Sequence, residues 1–361
     1  GSYRDADWFG DNPEGQPFAG FTQEQTYGVT LGGPLVKDKL FFFANYEKFE
    51  QKAPGVDLST TAMGKPNAVI TDADITRAQQ IADGYGINAG GLASNGDTNL
   101  EEYALKLDWN INDNHRASLR YSKLEQDRLR PESSTASTLS LSSNWYHHVK
   151  TVESWVGQVF SDWTENFSTE FKVSYRDYSA IRVNPTTAPV IQVVFDNNKT
   201  TAGFQTGGDV IRLGTESNSM GNTLLTETWN YYGAGTWTLG DHDVKFGFEY
   251  GDNKIYNYFL ANAWGNYTFA VPYVNGAYDF SNLTNGIYSS YSIQANPTNP
   301  DAVAARYKSK TLGLFLQDTW YVNSNLTLTF GVRGDRPTTS PKPPAFATYA
   351  LPQTTDANGK W

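Results

Sequence analysis

The feature that most constrains the fold is an alternation of apolar and polar residues, which recurs in five pairs of runs. A period of two places successive side chains on opposite faces of a β-strand. Within each pair, three or four residues rich in Asn, Asp or Lys separate the runs, as in a β-hairpin. The sequence therefore predicts five hairpins, with turns at residues 36–39, 112–114, 164–166, 240–242 and 323–325. Tyr3 fits the end of one earlier strand, so about eleven strands are expected.

The connections between successive hairpins are long, unlike the turns within them. Residues 51–98, 185–222 and 270–303 are rich in Gly, Asn, Ser, Thr and Pro. Loops of this length are uncommon in compact domains and are usually functional. Short turns at one end of the strands and long loops at the other are typical of outer-membrane barrels. The pattern predicts an all-β fold, a transmembrane antiparallel β-barrel with short periplasmic turns and long extracellular loops.

The composition favours a barrel over a soluble enzyme. Aromatic residues make up 14% of the chain, yet its mean hydropathy is −0.52. A barrel wall combines both properties, because its strands present one face to lipid and one to water, and rings gather at the membrane interfaces. The chain has no run of about 18 apolar residues, so no transmembrane helix is predicted.

Several segments are expected to extend beyond the membrane. Residues 140–163 and 243–269 are predicted as near-continuous strands, longer than the roughly 9–11 residues that cross a bilayer. The Pro-rich tail from Pro337 is predicted to be an outer loop. One helix is predicted in the first long loop, capped by Thr71 and ended by Gly84. Its apolar residues follow helical spacing: Ile75, Ala78, Ile81 and Ala82.

Little in the sequence points to catalysis or to a metal. There is no cysteine, so thiol chemistry and disulfides are excluded. The four histidines, His115, His147, His148 and His242, are scattered, and no serine motif accompanies the His147–His148 pair. The net charge of −10 argues against nucleic acid, which requires a basic surface. We therefore predict no enzyme activity and no cofactor.

Two acidic segments offer oxygen ligands of the kind that calcium prefers. Asp72 with Asp74, and Asp196 beside Asn197 and Asn198, lie in predicted loops. Neither segment has the number and spacing of ligands found in a recognised calcium loop. We interpret these acids as solvated loop residues.

Two stretches resemble a known family. Residues 27–47, YGVTLGGPLVKDKLFFFANYE, resemble the first complete barrel hairpin of Oar-like TonB-dependent receptors. Residues 314–320, LFLQDTW, followed by residues 325–333, NLTLTFGVR, are similar to a hairpin common to TonB-dependent receptors in general. A weaker similarity involves Ile81, Tyr85, Gly86 and Gly90 in the first long loop.

The resemblance implies that residues 1–361 are part of a barrel of about 22 strands, as in large outer-membrane transporters. In such receptors a carboxypeptidase-regulatory-like domain, a TonB-binding segment and a plug precede the barrel. We expect the chain to begin inside a longer protein that supplies these parts and the remaining strands. The implied partners are outer-membrane lipid, the TonB complex through a segment outside this chain, and a surface lipoprotein or other outer-membrane chains.

The residues that carry the resemblance are interpreted as determinants of the fold. Glycine and proline suit a strand that bends into its turn, and charged residues suit the water interface. These positions are Gly32, Gly33, Pro34, Lys37, Asp38, Lys39, Phe41, Phe42 and Phe43 in the first stretch, and Gln317, Asp318 and Trp320 in the second. Phe41, Phe42 and Phe43 are expected to begin a strand among interfacial rings.

Substrate contacts are predicted for aromatic residues of the outer loops and of the upward-facing barrel interior, which offer stacking surfaces with polar edges. The candidates are Trp145, Tyr146, Trp264, Tyr267 and Tyr273. Three functions remain open: an energy-coupled receptor for a large or peptide-like substrate, a passive porin or structural barrel, and a soluble secreted β-rich binding module. The last predicts no continuous apolar band around the outside.

Overall fold

The computed structural model describes residues 1–5, 21–53, 70–92, 96–130, 138–196, 209–294 and 303–341. Its main element is an eleven-stranded antiparallel sheet, which we call the wall. In spatial order its strands are β1 (Ser2–Asp5), β2 (Gln23–Val36), β3 (Leu40–Lys52), β4 (Thr98–Asn112), β5 (His115–Arg130), β7 (Tyr146–Thr164), β8 (Phe167–Val183), β11 (Asn222–Leu239), β12 (His242–Phe259), β17 (Ala305–Asn323) and β18 (Leu326–Ser340). The five predicted hairpins and the early strand at Tyr3 are confirmed.

Turn chemistry explains where the hairpins reverse. In the first turn Asp38 has φ 60°, a left-handed conformation, and the Lys39 amide donates to the Val36 carbonyl over 3.1 Å. In the turns at Asn112 and Asn323, the side-chain Oδ1 accepts from the amide two residues later, over 2.9 Å in both cases. These side chains imitate a backbone turn, which is why Asn and Asp dominate the short connections.

The wall has an apolar face and a polar face. Cross-strand partners project from the same side of a sheet, so the register assigns each side chain. Leu31, Ala44 and Leu105 form one row of the apolar face, and Phe248, Leu314 and Gly334 another. Large apolar side chains on this face are exposed, for example Val29, Leu105, Leu314 and Val332. A continuous apolar band therefore crosses the wall.

Aromatic side chains border the apolar band. An upper ring runs along the sheet on the side of the long connections, with Tyr46–Tyr103, Tyr121–Trp155 and Tyr175–Trp229 in ring contact at 5.1, 4.6 and 4.8 Å. Near the turns, His115–Trp163 and His242–Trp320 lie at 5.0 and 5.5 Å. From Tyr103 to Trp109 the strand rises about 20 Å, close to the roughly 25 Å of an outer-membrane apolar band.

The long connections fold into a second layer, which we call the cap. Its five-stranded sheet has the order β16 (Ser290–Ser292), β13 (Asn266–Val271), β9 (Val190–Phe195), β10 (Val210–Leu213) and β6 (Thr138–Ser140). Two helices, α1 (Asp72–Gly84) and α2 (Ser281–Thr284), and the small hairpin of β14 (Tyr273–Val274) and β15 (Ala277–Tyr278) complete it. Side chains from all three long connections, and from the connection between β5 and β7, share its core: Ile75, Ile81, Leu139, Val193, Phe195, Ile211, Val271 and Leu283.

The predicted helix is confirmed with its boundaries. The Asp74 amide donates to the Thr71 hydroxyl, and the Asp74 carboxylate accepts from the Thr71 amide, so the two residues form a capping box. The buried face of α1 is the predicted one, Ile75, Ala78, Ile81 and Ala82. Gly86, with φ 75°, turns the chain away after the last helical residue.

Three sequence predictions are wrong in part. Residues 140–163 are broken by a 3₁₀ turn at Ser142–Asn144, where Leu141 and Trp145 enter the interior. Residues 243–269 divide at Leu260, because β12 ends in the wall and β13 belongs to the cap. Pro337 continues β18 to Ser340 instead of starting a loop, since an edge strand tolerates proline. Residues 342–361 lie outside the described part.

The wall is an open sheet within the described residues. Its edge strands are β1 and β18, and no pairing joins them in this part of the chain. The expected barrel of about 22 strands therefore remains a prediction.

Candidate ligand-binding surface

The polar face of the wall offers a concave surface for a ligand. A cavity of about 680 Å³ opens there across β8, β11, β12, β17 and β18. Glu170, Lys172, Asn230, Glu249 and Arg333 are among its lining residues. The residues that line the cavity carry charges of both signs, amides and hydroxyls, and such a lining can contact water and polar solutes.

An ion pair crosses this cavity. The Arg333 guanidinium on β18 contacts the Glu249 carboxylate on β12 over 2.7 Å and the Asp335 carboxylate over 2.8 Å. Gly313 on β17 is the cross-strand partner of both Glu249 and Asp335, so it lies between these two carboxylates. A Cβ at Gly313 would collide with both Arg333 and Asp335. The glycine therefore leaves the space through which the arginine reaches across a strand.

An aromatic pair stands on the same polar face. Tyr232 and Phe315 stack with ring centroids 6.1 Å apart, and the Lys245 ammonium lies 5.9 Å from the Tyr232 ring. A Cβ at Gly247 would approach the Phe315 ring to 2.7 Å, so this glycine makes room for the stack. The pair gives the cavity an apolar surface beside the ion pair.

A group of basic residues lies on the polar face further from the turns. Arg128 on β5 pairs in register with His148 on β7, which pairs with Arg182 on β8. Lys150 and Arg130 occupy the rows on either side. We call Arg128, Arg130, Lys150 and Arg182 the cationic cluster. His148 lies about 23 Å beyond Trp155 along β7, outside the apolar band.

The positive charges of the cluster affect the pKa of the neighbouring His148. Burial, first, and then the positive charges of Arg182, Lys150, Arg130 and Arg128 together lower the pKa of His148 to about 4. The imidazole is therefore neutral at pH 7. Its Nε2 and the Arg182 Nε are buried without a hydrogen-bond partner among the described residues.

More cations continue along the polar face of β4, β5 and β8. They are Lys106, Arg116, Arg120, Lys172 and Arg176. Acids on the same face are Glu102, Asp108, Asp162 and Glu170. Lys106 is paired with Asp108 at 2.8 Å, and the Arg116 guanidinium lies 4.9 Å above the Phe160 ring.

The five predicted ligand residues occupy separate places. Trp145 is 1% exposed and its indole N–H donates to the Ser140 carbonyl, so its ring is inaccessible to a ligand in this structure. Tyr146 begins β7 on the polar face, beside Arg130. Trp264 packs on a second small core that contains Met220. The structure does not bring these three together.

Tyr267 and Tyr273 lie in the cap. Tyr267 forms an aromatic cluster with Tyr288 and Tyr291, at 5.4 and 4.5 Å, and burial raises the pKa of its hydroxyl. The Tyr273 hydroxyl donates to the Gly276 carbonyl, and its ring meets Tyr278 edge to face. Substrate contact by Tyr146, Trp264, Tyr267 and Tyr273 stays a prediction.

The first family stretch has structural roles in the wall. Pro34 lies at a bulge next to the turn that contains Lys37, Asp38 and Lys39. Phe42 is on the apolar face with Gly33, but Phe41 and Phe43 are on the polar face, opposite Pro34 and Gly32. The expectation that all three phenylalanines join the interfacial rings is wrong, because the pleat alternates their direction.

The second family stretch fixes the lower edge of the band. The Asp318 carboxylate contacts the His242 Nδ1 at 2.8 Å, and the Trp320 ring stacks on the same imidazole. Gln317 points to the polar face, opposite Gly331. These contacts orient the side chains near the turns.

The remaining candidates are also placed by the structure. The His147–His148 pair is divided by the pleat, and the His147 Nδ1 contacts Asp127 over 2.8 Å on the opposite face. Asp74 belongs to the capping box at the N-terminus of α1. Asp196 is buried in the second layer of the fold, the cap. Asn197 and Asn198 lie outside the described residues.

Sequence reasoning missed the cationic cluster. Arg128 and Arg130 are two residues apart and thus share a face, which the alternation already indicates. Their proximity to Lys150 and Arg182 required the register of three strands. The net charge of −10 also conceals this local positive charge.

The fold defines a membrane-spanning β-sheet wall with one apolar and one polar face. The chain belongs to the outer membrane beta barrel domain family, whose model matches residues 3–85 and 77–342. It is therefore a protein of the bacterial outer membrane. The third sequence hypothesis, a soluble secreted module, is wrong, since a continuous apolar band crosses the wall. No helix in the described part is long and apolar enough to span a membrane.

One solved structure shows a similar fold at low identity, and two others match with TM-scores below 0.5. The outer membrane transporter YddB from Escherichia coli matches with a TM-score of 0.54 and 11% identity, over 90% of this chain and 35% of that one. A mutant of the ferric enterobactin receptor PfeA from Pseudomonas aeruginosa matches with 0.48 and 12%, over 88% and 37%. The siderophore receptor PirA from Acinetobacter baumannii matches with 0.47 and 12%, over 88% and 36%.

The chain spans about a third of the length of these transporters and receptors. No curated protein sequence matches it. At 11% identity the similarity to YddB concerns the fold alone.

Proposed function

We propose that this chain is part of an energy-coupled outer-membrane receptor that takes up a large or peptide-like substrate. Its partner in this proposal is the inner-membrane TonB complex, contacted through a segment outside the chain. The resemblance of residues 27–47 to Oar-like receptors supports the subfamily, and the YddB fold similarity supports transport. The proposal assigns no catalytic step to the chain, and its surface partners are a lipoprotein or other outer-membrane chains.

One observation carries the proposal, namely the folded cap on the long-connection side of the wall. Long outer loops also occur in pores, but here they fold into a cap with its own sheet, helices and buried core. A layer of this kind offers an organised surface that captures a substrate before it enters the polar interior. The passive porin remains the second candidate, supported by the polar face and its cavity of about 680 Å³.

Energy dependence distinguishes the two candidates. A strain that carries the full-length gene and its deletion strain would be given a defined mixture of peptides too large for general porins, and depletion would be followed by mass spectrometry. A receptor depletes peptides only when the gene is present and the inner membrane is energised. Depletion that depends on the gene but survives a protonophore would favour the porin and overturn energy coupling.

A further inference from the structure

The cationic cluster lacks counter-charges in the described part of the chain. The ion pairs there involve other lysines and arginines, and none includes Arg128, Arg130, Lys150 or Arg182. The near neighbours in its rows on the polar face, Thr98, Gln126 and Ala180, are uncharged. The row of Arg128 reaches an acid only at Glu24, three strands away, which pairs with Arg4. Like charges at neighbouring positions repel one another, so the arrangement reduces stability unless an anion is bound.

The geometry of the cluster fits a single oxyanion. Arg128 and Arg182 flank β7, and strands lie about 4.8 Å apart, so their backbones are separated by about 10 Å. Two guanidinium groups can converge over that distance on one group between them. Each guanidinium presents donors that match a carboxylate or a phosphate in a bidentate arrangement.

The residue between the arginines supports this assignment. His148 is neutral, and its Nε2 is buried without a partner among the described residues, as is the Arg182 Nε. A neutral imidazole can donate one hydrogen bond without adding a further charge to the cluster. Buried polar nitrogens without partners are rare, and a bound ligand is one way in which they are satisfied.

We propose that the cationic cluster and His148 bind an oxyanionic group, a carboxylate or a phosphate, on a ligand that enters the barrel from outside. The cluster lies on the polar face and outside the apolar band, at the end of the wall that bears the cap. Lipid headgroups meet the opposite face. The site deepens the proposed function by giving the charge of the substrate, and it requires only the barrel wall, not energy coupling.

The direct test measures binding to the full-length protein, purified in detergent. The probe is a fluorescent hexaglutamate peptide, followed by anisotropy, with inorganic phosphate as competitor. Arg182→Gln should weaken binding of the peptide at least tenfold, as expected for loss of a charge-assisted contact of about 1.5–3 kcal/mol. Competition by phosphate supports a site for both oxyanions, and its absence supports a carboxylate site.

The control is Lys123→Gln. Lys123 is on β5 like Arg128, but it projects from the opposite face, where it pairs with Glu125. Removal of this charge should change the affinity less than twofold. Equal losses in Arg182→Gln and Lys123→Gln would indicate diffuse attraction and overturn the site, as would an unchanged affinity in Arg182→Gln.

A structural role for Arg182 is tested by stability. If the arginine binds the anion, Arg182→Gln leaves the unfolding midpoint unchanged or raises it, because repulsion is relieved. Phosphate should then raise the midpoint of the wild type but not of the Arg128→Gln/Arg182→Gln variant. If Arg182→Gln lowers the unfolding midpoint, the peptide-binding measurement is repeated with Lys150→Gln. Unchanged affinity for the peptide in Lys150→Gln would then reject the proposal.

The two proposals fail in different experiments. Binding in detergent involves no energised membrane, so it can succeed when the uptake of peptides is independent of energy. In that case the receptor proposal falls and the oxyanion site stands. If uptake depends on energy but the acidic probe does not bind, the receptor proposal stands and the oxyanion site falls.

Discussion

The wall and the cap bury apolar surface in opposite ways. In the wall, Val332 is 68% exposed and Leu314 is 58% exposed on the apolar face, because lipid is their solvent. In the cap, Phe195 and Ile211 are fully buried against neighbours from other connections. Thus one chain contains a layer stabilised by its surroundings and a layer stabilised by its own core.

The local sequence reflects this difference. Strands of the wall alternate, as in residues 103–109, YALKLDW, since one face meets lipid and the other water. Strand β9 of the cap, VIQVVF, is nearly continuous in apolar residues, because both its faces are covered. A period of two indicates the wall, and a short apolar run indicates the cap.

Removing a core side chain of the cap should have the largest effect. Phe195→Ala deletes a buried ring that contacts Tyr278 and Phe280, and such deletions cost about 3–5 kcal/mol. Amide hydrogen exchange of the full-length protein in detergent should become faster in β9, β10 and β13 and stay slow in β7 and β8. Equally fast exchange in the wall would show that cap and wall unfold as one unit.

A charge in the apolar band should have the next largest effect. Leu314→Arg places a cation where lipid contacts the wall, and near the midplane this costs about 2–4 kcal/mol. The free energy of folding into vesicles, measured by urea titration, should fall by this amount. The matched control is Gln317→Arg on the polar face of the same strand, which should be nearly neutral. Similar losses in both variants would contradict the assignment of the faces.

The wall was predictable because its signals are local. Turn residues such as Asp38 and Asn112 determine the hairpins, and the period of two determines their faces. The capping of α1 by Thr71 was predictable for the same reason. The ends of the strands were harder to predict. Strand β12 ends at Phe259 because the next residue, Leu260, packs in the small core that contains Met220, and this contact is not visible in the local pattern.

The cap and the candidate site depend on long-range contacts. Val193, Ile211 and Val271 come from different strands of two separate connections, and no local pattern shows that they meet. In the same way, Arg182 reaches the level of Arg128 only through the register of three strands. Trp145 shows the same limit, because an aromatic residue in a predicted strand was expected to face a ligand and is instead buried in the interior.

Removal of the capping box at the N-terminus of α1 should have an intermediate effect on stability, limited to the second layer. Thr71→Ala deletes the side-chain acceptor of the capping box, which typically costs about 1 kcal/mol. Exchange of the first amides of α1 should become correspondingly faster. Thr76→Ala is the control, since that hydroxyl only donates to the Asp72 carbonyl within the helix. Unchanged exchange in Thr71→Ala would mean that packing alone holds the start of α1.

The smallest effect is expected from the ion pair on the polar face, because water reaches it there. Both Arg333 and Glu249 are substantially exposed, and solvent screening leaves an exposed ion pair only a small contribution to stability. A double-mutant cycle with Arg333→Gln and Glu249→Gln, measured by urea titration in vesicles, should therefore give a small coupling energy. Gly313→Ala should reduce the coupling, since its methyl group blocks the path of the arginine. A coupling of several kcal/mol would show that this face excludes water like the core of the cap, and would remove the contrast between the two layers.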